Sequence, residues 1–356
     1  LVLQKLVVIE TAGVLAGPAV GLFFAELGAR VIKIENARAG GDITRKWRTA
    51  GEDAASPVSA YFSSVNHGKE HRLMDLSAPA DQAVFDDLVR TADVLVTNHL
   101  ASDAAKLGLT PERLHTLNPR LVHGHIRGYA EDPARPAFDV VLQAETGYIS
   151  MTGTDSDHLA KLPVAMIDVL AAHQLKEGLL LALLQRERTG RGAYVEVALE
   201  EAALTGLVNQ ASNWLMAQHL AQPIGTLHPN IAPYGELFTC ADDQRIVLAV
   251  GSDAQFRALC TLLDLDVLPR EERFATNAQR VKHREALAKT LAPAIAARAR
   301  ASFLKDCITF QVPAGAVNTI AQALATPAAQ RMTLPSVIDG ARTLRISGNA
   351  FRITTY

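Results

Sequence analysis

At 356 residues the chain is long enough for two domains, and 49% hydrophobic with 20% charged residues describes a globular protein with a large core. A net charge of −2 excludes the electrostatic footprint of a nucleic-acid or anionic-membrane binder. The three cysteines, Cys240, Cys260 and Cys307, form neither a disulfide framework nor a metal-ligand spacing, which fits a reducing cytoplasm. The opening residues show no basic stretch and no cleavage site, and the most apolar segment, GLLLALLQ, is too short to span a bilayer, so a cytoplasmic location is expected.

The β-branched run at 6–10 predicts a buried parallel strand. A turn of small residues follows, with Ala12, Gly13 and Ala16-Gly17-Pro18, then a helix to about Leu27 that Gly28 stops. A second strand is expected at 30–34 with Glu35 at its end, completing a βαβ unit. This imitates a dinucleotide-binding fold, in which an acid at that place binds a ribose hydroxyl. Gly13 and Gly17 do not make G-x-G-x-x-G, so an NAD or FAD enzyme stands only as an alternative.

The loop NARAGGDITRKWR is basic and glycine-rich, suited to solvent or to phosphate. The stretch YFSSVNHGK ends in a turn carrying Asn66, His67 and Lys69. A helix is expected at 81–90, a strand at 92–97 leading into Asn98, and a helix start at Thr110-Pro111-Glu112. His123 and His125 alternate onto one face of a strand at 121–126. A metal pair there lacks an evident third ligand, so a structural role is expected and no metal site is assigned.

Residues 138–168 read as a short helix, a glycine-hinged polar loop and the start of a long helix. Asp168 stands alone in the apolar run VAMIDVLAA, where a carboxylate is costly unless something uses or pairs it. Such a residue either caps the helix or serves as a nucleophile. A long helix at 167–186, a strand at 193–198 and a second long helix at 200–219 complete a doubly wound α/β pattern. After GTLHPNIAPYG a hairpin is expected at 236–240 and 245–250, with helices at 253–263, 283–297 and 301–310 and a short strand after 312–315. The expected division is a large domain at 1–215, with a β-rich C-terminal return at 335–356, and a smaller α+β domain with linkers at 216–334.

Several segments, in order, carry a resemblance: VVIETAGVLAGPAVGLFFAELGARVIKIE, GGDITR, VNHGK, ADVLVTNHLASDAAKLGL, FDVVLQAETGYISMTG, the run from VAMID to YVEVAL, and GTLHPNIAPYGELF. Over nearly its whole length the chain resembles the class III CoA-transferases, the CaiB/BaiF family. The resemblance implies a Rossmann-like large domain and a smaller α+β domain in an interlocked homodimer. It implies transfer of CoA from an acyl-CoA thioester to a free carboxylic acid, with CoA as substrate and no tightly bound cofactor.

By the same resemblance Asp168 is the nucleophile, forming an aspartyl anhydride and then an aspartyl-CoA thioester. The resemblance also implies contacts to CoA from Val14, Leu15 and Ala16 in the first turn, Asn36 and Arg38 after the second strand, Lys69 and Asn98 in later turns, and Lys106 and Arg127 as further cations. The usual N-F-R-P-G after the strand is replaced by Asn98-His99-Leu100-Ala101-Ser102. Related α-methylacyl-CoA racemases pair a histidine with the aspartate, since two acid/base groups must flank the α-carbon. The histidine position here holds Phe138, which cannot move a proton. A racemase and a CoA-binding relative without transferase activity remain the alternatives. The family commonly carries a further C-terminal segment, and this chain is read as ending early.

Overall fold

The computed structural model describes residues 3–354. Six strands, β1 (Val7–Glu10), β2 (Arg30–Asn36), β3 (Lys69–Met74), β4 (Val94–Thr97), β5 (Val122–Arg127) and β6 (Ala193–Ala198), form one sheet in the order 3-2-1-4-5-6. All of its pairings are parallel. The central strands form because runs such as VLVT are buried along their whole length between two helical layers.

The strand β3 was not expected. Its sequence KEHRLM has no apolar run, because it lies at the sheet edge with β2 as its one neighbour and needs no cover on its outer side. The strand β2 runs two residues past the expected end, so Glu35 lies buried inside it rather than exposed at its tip.

One face of the sheet is covered by helices including Pro79–Thr91 and Pro111–Leu117, around a core of Ile9, Ile32, Phe85, Leu95 and Leu114. On the other side α1 (Ala16–Glu26) packs against the long helix Met166–Thr189. A short helix, α2 (Asp139–Glu145), precedes α3 (Met166–Thr189), which lies along β5 and β6. The expected long helix at 200–219 is in fact two, α4 (Leu199–Gly206) and α5 (Asn209–Ala217), with Val208 at φ 44° between them. A Cβ on Gly206 would stand 2.5 Å from the Tyr148 hydroxyl and 2.6 Å from Leu170, so close packing demands glycine, which is also a poor residue for continuing a helix.

The chain divides into two compact units. The first holds the parallel sheet and comprises the residues up to Tyr148, Lys161–Leu220, and the residues from Ala328 onward. The second comprises Ile149–Ala160 and Ala221–Pro327, so the expected continuous span 1–215 is interrupted. In this second unit β7 (Tyr234–Thr239), β8 (Arg245–Ala249) and β9 (Ala314–Ala316) form an antiparallel sheet. It closes a core of Phe256, Phe274, Leu291 and Phe303, in which all three cysteines are buried as free thiols.

The C-terminal residues return to the first unit as the hairpin β10 (Thr333–Ile338) and β11 (Ala341–Ile346). Ile338 packs with Val58 and Phe62, and Asp339 at the hairpin tip pairs with Arg45 at 2.8 Å. Glu26, in the last turn of α1, pairs with Arg345 and accepts from the Gly348 N–H at 2.9 Å. No helix among the described residues is long and apolar enough to cross a membrane.

A Cβ on Gly21 of α1 would lie 1.8 Å from Glu10 Oε2 and 3.2 Å from Lys69. Overfilling a packed interior costs about 1–3 kcal/mol, so Gly21→Ala is expected to lower the unfolding free energy by about 2 kcal/mol in urea titration. Unchanged stability would show that α1 does not press on the charged groups beneath it.

Candidate active site

In a parallel sheet of this order the loops after β1 and β4 diverge, opening a crevice at the carboxyl ends of the strands. The floor of that crevice is a buried ionic network. Lys33 bonds Glu10 at 3.0 Å and Asp42 at 3.2 Å, and donates to the Ala12 carbonyl at 2.8 Å. Lys69 bonds both Glu10 oxygens at 2.9 and 2.8 Å. Glu35 holds Arg45 at 2.7 and 2.6 Å and accepts from the Asp42 N–H at 2.8 Å.

The turn after β1 rests on this network. Gly13 and the Asn98 amide exchange two hydrogen bonds, at 3.1 and 3.0 Å. The Val14 N–H donates to Asp42 Oδ2 at 3.2 Å. Val14 has φ 71°, a region that a β-branched residue enters only under constraint. The next residues open α1, where no side chain caps the helix, and the N–H groups of Leu15, Ala16 and Gly17 have no acceptor among the described residues.

Two cavities meet at this turn. The larger, about 570 Å³, extends past Asn36, Arg38, Ser77 and Lys106. The smaller, about 320 Å³, is walled by Trp47, Tyr61, Arg127, Arg135 and Phe138 and contains Asp168. Both are lined by Gly13, Val14, Asn98 and His99.

Asp168 sits half-buried in the first turn of α3. It does not cap its own helix. Asp139 of α2 does so instead, accepting from the Ile167 N–H at 2.7 Å and from Gln143 at 2.6 Å. Gln143 in turn accepts from the Leu162 N–H at 2.8 Å. No hydrogen bond or ion pair among the described residues reaches the Asp168 carboxylate. Burial first, and then the charge of Asp139, push its pKa up to about 7. Burial, followed by the charges of Asp168, Asp139 and Asp42, pushes the Tyr61 phenol up to about 12. The Tyr61 ring stands edge-on to Trp47, with centroids 5.1 Å apart.

Of the residues expected to contact CoA, Leu15 and Ala16 line the smaller cavity, and Val14 lies at the junction with its N–H already taken. Arg38 and Lys106 are exposed on the larger cavity, held loosely by Asp75 at 3.4 Å and Asp103 at 3.2 Å. The Asn36 side chain accepts from the Arg38 N–H at 2.9 Å. Arg127 reaches the smaller cavity and pairs with Glu196 at 3.0 Å.

Lys69 stands apart from both cavities. Its ammonium is fully buried and held by Glu10, the Pro18 carbonyl and Asn66, and it lines neither cavity. Burial, only partly countered by Glu10, brings its pKa down to about 8. Glu35 is likewise unavailable to a ribose, since Arg45 and the Asp42 N–H occupy its oxygens.

Four cavity residues, Trp47, Tyr61, His99 and Arg135, escaped the sequence reading. Ser59 caps the helix Ala60–Val65 by accepting from the Phe62 N–H at 2.9 Å, and Phe62 is fully buried. Adjacent aromatics on one helix must diverge, which was the available signal that Tyr61 faces elsewhere. His123 and His125 share the Thr97 hydroxyl at 2.9 and 2.8 Å. Burial brings them down to about 3 and about 4, so they are neutral, and no group of three or more metal-ligating residues exists among the described residues.

The model of CoA-transferase family III matches residues 3–355. The chain belongs to that family. A succinate–glutarate CoA-transferase of Agrobacterium fabrum is 35% identical over 350 residues, covering 94% of this chain and 87% of the relative. An acetyl-CoA:oxalate CoA-transferase of Acetobacter aceti is 32% identical, covering 96% and 88%. The crystal structure of a CaiB/BaiF family protein from Brucella suis superposes with a TM-score of 0.87 at 32% identity, covering 99% of this chain and 92% of that one. The protein is thus a class III CoA-transferase, an enzyme family whose substrates are CoA thioesters.

The raised pKa of Asp168 makes a stability prediction for this family member. A group raised in the folded state stabilises it fully below the unfolded value, about 3.9, and loses that contribution as pH rises through the folded value. Asp168→Asn removes the titration. The variant is expected to match the wild type near pH 4 and to exceed it above pH 7, by at most about 4 kcal/mol, in thermal unfolding across pH. A constant difference across that range would show that Asp168 is not perturbed.

Proposed function

We propose that this enzyme moves CoA between small dicarboxylic acids, with Asp168 as nucleophile. One observation carries the reading: a carboxylate with no partner among the described residues stands in a small cavity that meets a larger, cation-rimmed cleft at the switch point of the sheet. A weak nucleophile becomes effective when it is desolvated and unpaired, yet still ionised in part near pH 7.

The proposed sequence balances at each step. An Asp168 oxygen attacks the acyl-CoA carbonyl, the C–S bond breaks, and CoA thiolate leaves a mixed anhydride. The thiolate attacks the Asp168 carboxyl carbon, expelling the donor acid and leaving an aspartyl-CoA thioester. The acceptor carboxylate attacks that thioester and releases the thiolate. The thiolate then attacks the new acyl carbonyl and restores the Asp168 carboxylate. Each tetrahedral oxyanion needs donors, and the unpaired N–H groups of Leu15 and Ala16 on the cavity wall are suited to the task. One such donor is commonly worth about 3–4 kcal/mol. Trp47, Tyr61 and Phe138 form a largely apolar wall, which limits hydrolysis of the intermediates.

Arg38 and Lys106 suit the phosphates of CoA in the larger cavity, with Asn36, Asn98 and Val14 shaping its floor. Arg127 and Arg135 in the smaller cavity suit the second carboxylate of a dicarboxylic acid, the substrate type in the names of the relatives above. Phe138 at the cavity, with no acid/base function, argues against α-proton transfer and hence against a racemase.

The protein is incubated with succinyl-, glutaryl-, oxalyl- and acetyl-CoA, trapped with hydroxylamine or borohydride, and digested for mass spectrometry. The expected result is modification of Asp168 with dicarboxylyl thioesters and none in Asp168→Asn, with kcat rising through a single deprotonation near pH 7. Transfer activity without an Asp168 adduct would overturn the covalent route.

The interlocked homodimer is proposed as well. Leu181, Leu215 and Met216 are 68%, 80% and 88% exposed on α3 and α5, a display of apolar surface that a partner would cover. Light scattering is expected to read twice the chain mass at micromolar concentration, and a monomer would refute the assembly.

A further inference from the structure

The turn at Val14 is held in place from beneath. Asp42 Oδ2 accepts from the Val14 N–H and, at 3.2 Å, faces Lys33. Its Oδ1 accepts from the Thr44 N–H at 3.0 Å and the Thr44 hydroxyl at 2.8 Å, and its own N–H is fixed on Glu35. Lys33 closes the ring by donating to the Ala12 carbonyl. Asp42 and Lys33 are almost fully buried. The side chain of Asp42 therefore has one geometry, and that geometry meets a valine at φ 71°.

Nothing intrinsic to Val14 favours this conformation, since a β-branched side chain in the left-handed region is strained. Released from Asp42, the valine would relax toward negative φ and swing the following N–H groups of Leu15 and Ala16 away from the cavity they line. A side chain that does not itself need to touch the substrate thus decides where those donors point.

We propose that Asp42, braced by Lys33, is a positioning residue that holds the Val14 turn in its strained form, so that the start of α1 meets acyl-CoA. This rests on the CoA-binding reading above and adds to it a residue acting through the backbone. Burial works against the Asp42 carboxylate, but Lys33 and the Thr44 donors outweigh it and keep the pKa below the ordinary value, so the charge persists at neutral pH.

Glycine at position 14 supplies the test, because it takes a positive φ without help. Asp42→Asn, Val14→Gly and the double variant are compared with the wild type by KM for acyl-CoA, kcat, calorimetric Kd for CoA and thermal unfolding. In the Val14 background Asp42→Asn is expected to lower kcat/KM about tenfold, the size of one strained backbone well, with kcat falling as the Leu15 and Ala16 donors leave the cavity. In the Val14→Gly background the same substitution should lower kcat/KM no more than about twofold, since no strain remains to be held. Equal effects in both backgrounds would overturn the proposal and reduce Asp42 to a general stabiliser. If Asp42→Asn does not fold, Lys33→Met with Asp42→Asn removes both buried charges and the comparison is repeated. Absence of CoA binding by the wild type would instead sink the CoA-binding reading itself.

Discussion

Glu10 is the residue on which the first unit converges. It lies at the end of β1, wholly buried, and accepts from ammonium groups on β2 and β3. Three carboxylates, Glu10, Glu35 and Asp42, face three cations, Lys33, Lys69 and Arg45, within one interior. Charges withdrawn from water are costly, and their mutual attraction offsets that cost only when geometry and hydrogen bonds are nearly complete. Here the remaining positions are filled by main-chain groups: the Ala12 and Pro18 carbonyls, and the N–H groups of Val14, Thr44 and Asp42. Removing one member would leave its partner buried and unmatched, commonly a loss of about 3–5 kcal/mol. The network therefore fixes not only side chains but the path of the loops that cross it.

That rigidity contrasts with the treatment of Asp168. Asp139 and Asp168 lie close enough to interact, yet among the described residues the fold gives one of them two donors and the other none. Asp139 and Gln143 hold the start of α3 as a cap supplied from another helix, which frees Asp168 from the capping duty that its place in the sequence invites. Two carboxylates at one helix end are thereby divided into a structural and an available one by their surroundings alone.

The legible parts of the fold were those set by burial over several consecutive residues. β1, β4 and β6 and the hairpin of β7 and β8 came from apolar runs and turn chemistry, and both emerged close to their expected limits. The edge strand β3 was invisible because pairing on one side leaves its composition polar, and the break after Gly206 because it depends on Tyr148, far away in sequence. Within the site, a position after a strand or at a helix start could be read, which brought Asp168, Arg38, Lys106, Leu15 and Ala16 to cavity walls. Which polar groups were already engaged could not. Lys69 and Glu35 look like ligands in the sequence and are bound to protein instead, because salt-bridge partners such as Glu10 and Arg45 carry no sequence mark of whom they meet. Trp47, Tyr61 and Arg135 come from loops and a short helix whose facing is set by tertiary contacts.

The walls around Asp168 divide in the same respect. The turn that the two cavities share is determined by buried ion pairs and by Asn98, with little freedom to change. The far wall of the smaller cavity is built from side chains such as Arg135, Phe138 and Trp47, which are substantially exposed and rise from loop positions. On the proposed function, the constant part of every substrate, CoA, lies against the rigid half and the variable part, the acid, lies against the adaptable half. Changing a loop arginine or aromatic then alters which acid fits without disturbing the charges beneath the turn. Such a division gives a physical reason why one scaffold can serve transferases named for glutarate and for oxalate, and why the acid is the last thing a fold of this kind discloses.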